Sequence, residues 1–301
     1  MILKNILKKK TVSVWGLGYL GYTTVLSLQN AGFNVLAYDL NAEQLKQFME
    51  GKYPGRERIA SWSSLGYMPK LDYAKIKTAN RVKDLFKASH LHFIAIPEAH
   101  KNASEWNLTS QIANLFSKNL KDTDIVPLII FESAFIPGHI EKYFIKYLKD
   151  QKLICGRDYL LGAWFRTDWS VEAFISQKDK TPVAGYDVES LKAIRELFRY
   201  FALPVVELDT LREAEIYVNS MNVIQAMATD FVRQLAFGYP SRDMKKLSEL
   251  LFKNTKLEDC TLNIGTGGER MTFAIDNLIQ GSANSDSMTL LKEFQDINIS
   301  S

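Results

Sequence analysis

The stretch VSVWGLGYLGYTTVLSLQNAGFNVLAYD, residues 12–39, decides the fold. An apolar strand (Val12, Val14) runs into a glycine loop (Gly16, Gly18, Gly21). A helix follows, then a second apolar strand, Val35-Leu36-Ala37-Tyr38, and an acid, Asp39. That order predicts a βαβ unit that binds a dinucleotide. Gly16 permits the tight turn out of the strand. Gly18 lets backbone N–H groups approach a pyrophosphate, and Gly21 allows close helix–strand packing. Tyr19 and Leu20 join the candidate cofactor residues, and the N-terminus of the helix faces the phosphate charge. Asp39 is placed to accept hydrogen bonds from the adenosine ribose. A 2′-phosphate would meet its like charge, and Leu40 and Asn41 offer no arginine, so NAD is expected rather than NADP. The plainer alternative is that the glycines serve packing and the nucleotide site is vestigial.

Outward from this unit, strands and helices alternate. Ala42 to Glu50 reads as a helix ending at Gly51, and Lys52 to Lys70 as loop. Arg81 to Ala88 is helical. His92 to Ile96 and Ile125 to Phe131 are continuous apolar runs, as strands buried on both faces of a parallel sheet require. Trp106, Ile112, Leu115 and Leu120 share a helical face, and His139 to Leu148 resumes a helix. Further strands are expected near Tyr159–Gly162, Pro182–Gly185 and Pro204–Leu208, with a helix over Val188–Tyr200. The fold class is therefore α/β, a Rossmann-type doubly wound parallel sheet. Pro97 and Glu132 fall at carboxyl ends of strands, where ligands bind on such sheets, and join the candidate cofactor residues.

The pattern changes after residue 208. Thr210 to Phe237 reads as one long helix and Ser241 to Lys253 as another. A polar, glycine-bearing loop follows from Asn263 to Glu269, then a short helix near Leu290–Phe294. The expected division is a dinucleotide-binding domain over 1–208 and a smaller all-helical domain over 209–301. A chain of 301 residues suits two domains of about 150 residues each.

Bulk properties exclude several classes. A net charge of +3, with no basic aromatic-studded stripe, argues against nucleic acid. The longest apolar run is too short to span a bilayer, and Met1–Lys10 lacks the apolar stretch of a secretory signal. Cys155 and Cys260 form neither a disulfide framework nor metal spacing, so a reducing cytoplasm is expected. No histidine pair has helical metal-ligand spacing, and no metal is expected.

Several motifs together resemble the UDP-glucose/GDP-mannose dehydrogenase family. They are Val14 to Gly21, Phe93-Ile94-Ala95-Ile96-Pro97, Glu132-Ser133 with Pro137-Gly138, Ala214-Glu215 through Asn222, and Gly265 with Gly267-Gly268. The resemblance implies an NAD-dependent oxidoreductase and a homodimer formed through the 210–237 helix. It also implies a further sugar-nucleotide-binding domain, expected to be absent here because the resemblance stops near Asn298.

The family oxidises an alcohol twice, through a thiohemiacetal on a cysteine. The resemblance puts Arg270 or Thr272 at that cysteine, Val218 at the helix lysine and Ala134 at a threonine. Two family glutamates fall at Phe165 and Trp169. The expected activity is therefore one two-electron hydride transfer on a small, anionic alcohol or carbonyl. The alternative is a non-catalytic NAD-binding sensor or scaffold, and a relic that binds no nucleotide stands third.

The candidate catalytic residues are Asn222 and Arg270. Asn222 is read either as a substrate hydrogen-bonder or as a structural helix residue. Arg270 is read as a fork for an anion or as a surface arginine beside Glu269. Glu132 is set either to reach the nicotinamide ribose or to cap the following turn. Glu215 and Asn219 are expected on a solvated helix face. His90 and His92 are expected to be structural, and His100 is a candidate general base.

Overall fold

The computed structural model describes residues 10–52, 71–79, 81–96, 106–165, 181–238, 269–282, 288–289 and 291–293. The elements run β1 (Thr11–Trp15), α1 (Tyr19–Asn30), β2 (Asn34–Tyr38), α2 (Ala42–Met49), β3 (Ile76–Thr78), α3 (Val82–Ala88), β4 (Leu91–Ile94), α4 (Trp106–Asn119) and β5 (Leu128–Phe131). A π-helical turn, Ile140–Ile145, leads into α5 (Lys146–Asp150). Then come β6 (Leu160–Trp164), β7 (Thr181–Gly185), α6 (Val188–Tyr200), β8 (Val205–Leu208), α7 (Leu211–Gly238) and α8 (Glu269–Gly281).

The eight strands among the described residues form one sheet in the order β3-β2-β1-β4-β5-β6-β7-β8. The chain reverses its direction of growth between β1 and β4, and this switch point is where a doubly wound sheet leaves a crevice. The inner strands β4 and β5 are buried at every residue, which explains their unbroken apolar runs. Three features depart from the sequence reading. β7 pairs antiparallel with β6, within an otherwise parallel sheet. β3, whose burial is one residue in and two out, adds an edge strand where none is expected. The helix read over His139–Leu148 begins as the π-helical turn.

The chain divides into two units. The first holds the sheet and its helices up to Ala214. Its core on one side of the sheet is aromatic. Trp15 and Phe116 stand 4.9 Å apart, Phe86 and Phe116 4.9 Å, and Phe116 and Phe144 5.6 Å. His92 is completely buried in this cluster. Its Nδ1 shares a 2.5 Å hydrogen bond with Ser13 Oγ, which also accepts from Trp15 Nε1 at 3.0 Å. Burial pushes its pKa down to about 3, so the ring is neutral. His139, bonded through Nε2 to Thr109 Oγ1 at 2.9 Å, is likewise pushed down to about 4, by burial first and then by Lys142. His92 has the structural role expected of it.

The second unit comprises the long helix from Glu215 onward, α8, and the short Ala134–Gly138 segment that follows β5. Val223, Ala274 and Ile275 form its buried apolar centre, flanked by Met227, Leu278, Ile279 and Leu291. Glu215 and Asn219 are fully buried, not solvated as the helix pattern suggests. The cause is the Ala134–Gly138 segment, whose backbone has polar groups to satisfy. Gly138 N–H donates to Glu215 Oε2 at 2.5 Å, and Asn219 Nδ2 donates to Phe135 O at 2.8 Å. Asn277 Nδ2 in turn donates to Asn219 Oδ1 at 3.1 Å. A buried backbone group without a partner costs on the order of 1–3 kcal/mol, so these side chains are structural pins.

Candidate dinucleotide site

β1 ends at Trp15 and the chain turns through Gly16, Leu17 and Gly18 before α1 starts at Tyr19. Gly16 takes φ +91°, and a Cβ there would lie 2.4 Å from Ala95 O. Gly21, in the first turns of α1, presses its own backbone on the loop: a Cβ would sit 1.9 Å from Gly16 O. Both positions therefore admit only glycine. Gly18 differs. Among the described residues, its chain neighbours aside, no atom lies within 4 Å of where its Cβ would point, so this face of the loop is open to them.

The open face meets the start of α1. Gly18 is the N-cap residue, no side chain caps the helix, and its first turn carries no acid. The positive end of the helix dipole thus meets the loop with no acid in the helix's own first turn. Tyr19 and Leu20 are half-buried at this end.

Asp39 closes the other side. It follows β2, is half-buried, and turns toward the loop. Leu17 N–H donates to its Oδ2 at 2.8 Å, and Asn41 N–H to its Oδ1 at 2.8 Å. A carboxylate has about four lone-pair sites, so acceptor capacity remains for ribose hydroxyls. Burial, and secondarily Asp39, raises the pKa of the neighbouring Tyr38 phenol. One participant was not singled out from sequence: Gln44, on α2, donates through Nε2 to Leu17 O at 3.0 Å. As a polar residue on a surface helix it carries no sequence signal.

Glu132 lies at the end of β5, beneath α1, and is 2% exposed. Its Oε2 accepts from Thr24 Oγ1 of α1 at 2.7 Å, so it is tied to the helix that carries the loop. Ser133 Oγ donates to Ile96 O. In the second unit Asn222 is 5% exposed, and its Oδ1 has no hydrogen-bond partner among the described residues. Val218, one helical turn before it, is 2% exposed. Arg270 and Thr272 fall in the first turns of α8. Pro97, His100, Cys260, the glycines of 265–268 and the helix expected over 241–253 lie outside the described residues.

The residues present fit NAD. The open face at Gly18, the uncapped α1 terminus and the Asp39 carboxylate supply the three contacts a dinucleotide needs at this corner. Among the described residues no cluster of His, Cys, Asp or Glu could hold a metal ion, and no helix is long and apolar enough to cross a membrane.

Comparison with known proteins agrees with this geometry. Residues 10–162 match the NAD binding domain of the UDP-glucose/GDP-mannose dehydrogenase family. A UDP-N-acetyl-D-mannosamine dehydrogenase of Methanocaldococcus jannaschii is 24% identical over 237 residues, 74% of this chain and 51% of the relative. The chain thus spans about half the length of that protein. Among solved structures, a UDP-D-ManNAc dehydrogenase of Pyrococcus horikoshii aligns with a TM-score of 0.71 at 21% identity, covering 96% of this chain and 68% of the other. A UDP-glucose dehydrogenase of Pyrobaculum islandicum gives 0.71 at 16% identity, covering 95% and 68%. At these identities the structural likeness speaks for the fold.

Proposed function

Because the chain belongs to the UDP-glucose/GDP-mannose dehydrogenase family, we propose that it is an NAD-dependent oxidoreductase performing a single two-electron hydride transfer on a small, anionic alcohol or its carbonyl. The observation that carries this reading is the open face of Gly18 beside Asp39. When bound, NAD supplies a two-electron hydride acceptor, and the protein's part is to hold and orient. In this reading the amides at Gly18, Tyr19 and Leu20 hold the pyrophosphate and Asp39 the adenosine ribose. Glu132, anchored on Thr24, fixes the strand end beneath α1. Asn222, whose buried carbonyl oxygen has no donor among the described residues, accepts from a substrate hydroxyl. Arg270 pairs with the substrate's anionic group.

The covalent second oxidation of the parent chemistry has no support. It needs a thiol where the resemblance puts Arg270 or Thr272, and a cation where it puts Val218. Burial of Val218 also favours a second reading, a non-catalytic NAD-binding sensor or scaffold, since no cation stands at that position of the helix. Turnover decides between the two. Full-length protein with NAD and a panel of polyols, hydroxy acids and sugar phosphates is expected to generate NADH steadily with one anionic member. No turnover across the panel, with NADH binding intact, selects the second reading.

Cofactor binding is tested first. NADH is expected to quench or enhance protein fluorescence saturably, and NADPH to bind at least about ten-fold more weakly because its 2′-phosphate meets Asp39. Gly18→Ala is expected to weaken NADH by about ten-fold or more with little change in melting temperature, since the added methyl enters open space. A flat NADH titration overturns both readings. The homodimer expected through residues 210–237 belongs to the first reading, and sedimentation velocity tests it.

A further inference from the structure

We propose that Gln44 is a positioning residue for dinucleotide binding: together with Asp39 it clamps the two peptide planes of Leu17 and so fixes the direction of the Gly18 N–H. This rests on the NAD-binding reading of the loop and adds to it a residue on a different element.

The clamp is a closed ring of hydrogen bonds. Leu17 N–H donates to Asp39 Oδ2 (2.8 Å), and Asn41 N–H donates to Asp39 Oδ1 (2.8 Å). Asn41 Oδ1 caps α2 by accepting from Glu43 N–H (3.0 Å) and Gln44 N–H (3.4 Å). Gln44 Nε2 then returns to Leu17 O at 3.0 Å. The ring starts and ends on the same loop residue. Leu17 itself is fully buried, so its side chain anchors the point that the ring holds.

The consequence follows from peptide geometry. Leu17 C=O and Gly18 N–H belong to one planar unit, and no peptide bond among the described residues is cis. In a trans unit the two groups point in opposite directions. Holding the carbonyl toward α2 therefore aims the Gly18 N–H away from α2. Without such a hold the unit is easily turned over, because Gly18 accepts φ of either sign at little cost. Asp39 does the same for the preceding unit through the Leu17 N–H. An oxyanion site made of backbone amides works only when the amides are already aimed, since any fraction of misdirected loop reduces apparent affinity by that fraction. Gln44 is half-buried on a short surface helix, so its removal leaves the core of the fold untouched.

The test uses the full-length chain labelled with 15N-glycine, and three proteins: wild type, Gln44→Met, which keeps the length but has no donor, and Gln44→Lys, which restores one. The Gly18 amide signal is assigned by its loss in Gly18→Ala. In Gln44→Met the free protein is expected to show an exchange-broadened Gly18 amide. NADH is expected to bind about three- to ten-fold more weakly, the worth of one hydrogen bond, at an unchanged melting temperature. In Gln44→Lys the signal is expected to sharpen again. Equal NADH affinity in wild type and Gln44→Met overturns the clamp while leaving NAD binding intact. If wild type binds no NADH, the NAD reading falls and the amide alone decides: broadening only in Gln44→Met supports the clamp, and an unchanged signal refutes it. Should Gln44→Met fold poorly, the comparison of Gln44→Lys with Gln44→Ala reads the same two quantities.

Discussion

Gly21→Ala is expected to destabilise the protein by roughly 3 kcal/mol or more, whereas Gly18→Ala, three residues earlier, leaves stability almost unchanged. The contrast comes from what each added methyl meets. At Gly21 it would stand 1.9 Å from Gly16 O, a backbone atom that cannot rotate away. α1 would have to lift from the loop, breaking the contact that brings the helix terminus to the sheet edge. At Gly18 the methyl meets nothing within 4 Å among the described residues beyond its chain neighbours. For a chain of this size 3 kcal/mol corresponds to a drop of about 6–12 °C in melting temperature. Thermal denaturation followed by circular dichroism checks both variants side by side. Equal melting of Gly21→Ala and wild type would show that loop and helix are not in contact as described.

Acid should weaken the fold well above the range where carboxylates protonate. His92 and His139 are held neutral by burial, with pKa values pushed down to about 3 and about 4. In the unfolded chain both titrate near 6.5. Between these limits the unfolded state takes up protons that the folded state refuses, so stability falls as pH falls. Each such histidine contributes a slope of about 1.4 kcal/mol per pH unit. Together they cost roughly 4 kcal/mol between pH 6.5 and 4.5. Urea denaturation across this interval measures it. His92→Phe keeps an aromatic ring in the cluster of Trp15, Phe86 and Phe116 and should halve the slope. A flat profile would mean that water reaches these rings.

The sequence announces some of this arrangement and conceals the rest for physical reasons. Residues 12–39 declare themselves because each carries a constraint: buried strands need unbroken apolar runs, and Gly16 and Gly21 sit where a Cβ has no room. β3 is silent because three residues, two of them exposed, leave no periodicity to read. The antiparallel turn of β7 is silent because Pro182-Val183-Ala184-Gly185 packs equally well in either direction. Glu215 and Asn219 mislead, since polar residues on a helix read as solvated. Their partners, Gly138 and Phe135, lie 77 and 84 residues earlier in the chain, and no local pattern records that pairing. Gln44 is hidden for the same reason: its acceptor, Leu17, is 27 residues away. The candidate site is thus legible where the backbone is crowded, and illegible where a distant side chain serves it.

The Ala134–Gly138 segment has a consequence for how this protein can be divided. It leaves the sheet after Ser133, is pinned by Glu215 and Asn219, and returns to the sheet's unit at His139. The two units therefore interleave along the sequence, and no single cut in the chain separates them. A fragment ending near residue 208 would keep Phe135 and Gly138 yet lose both side chains that satisfy their backbone. Excising or transplanting the dinucleotide-binding half as a stand-alone module should accordingly fail unless the beginning of the long helix travels with it.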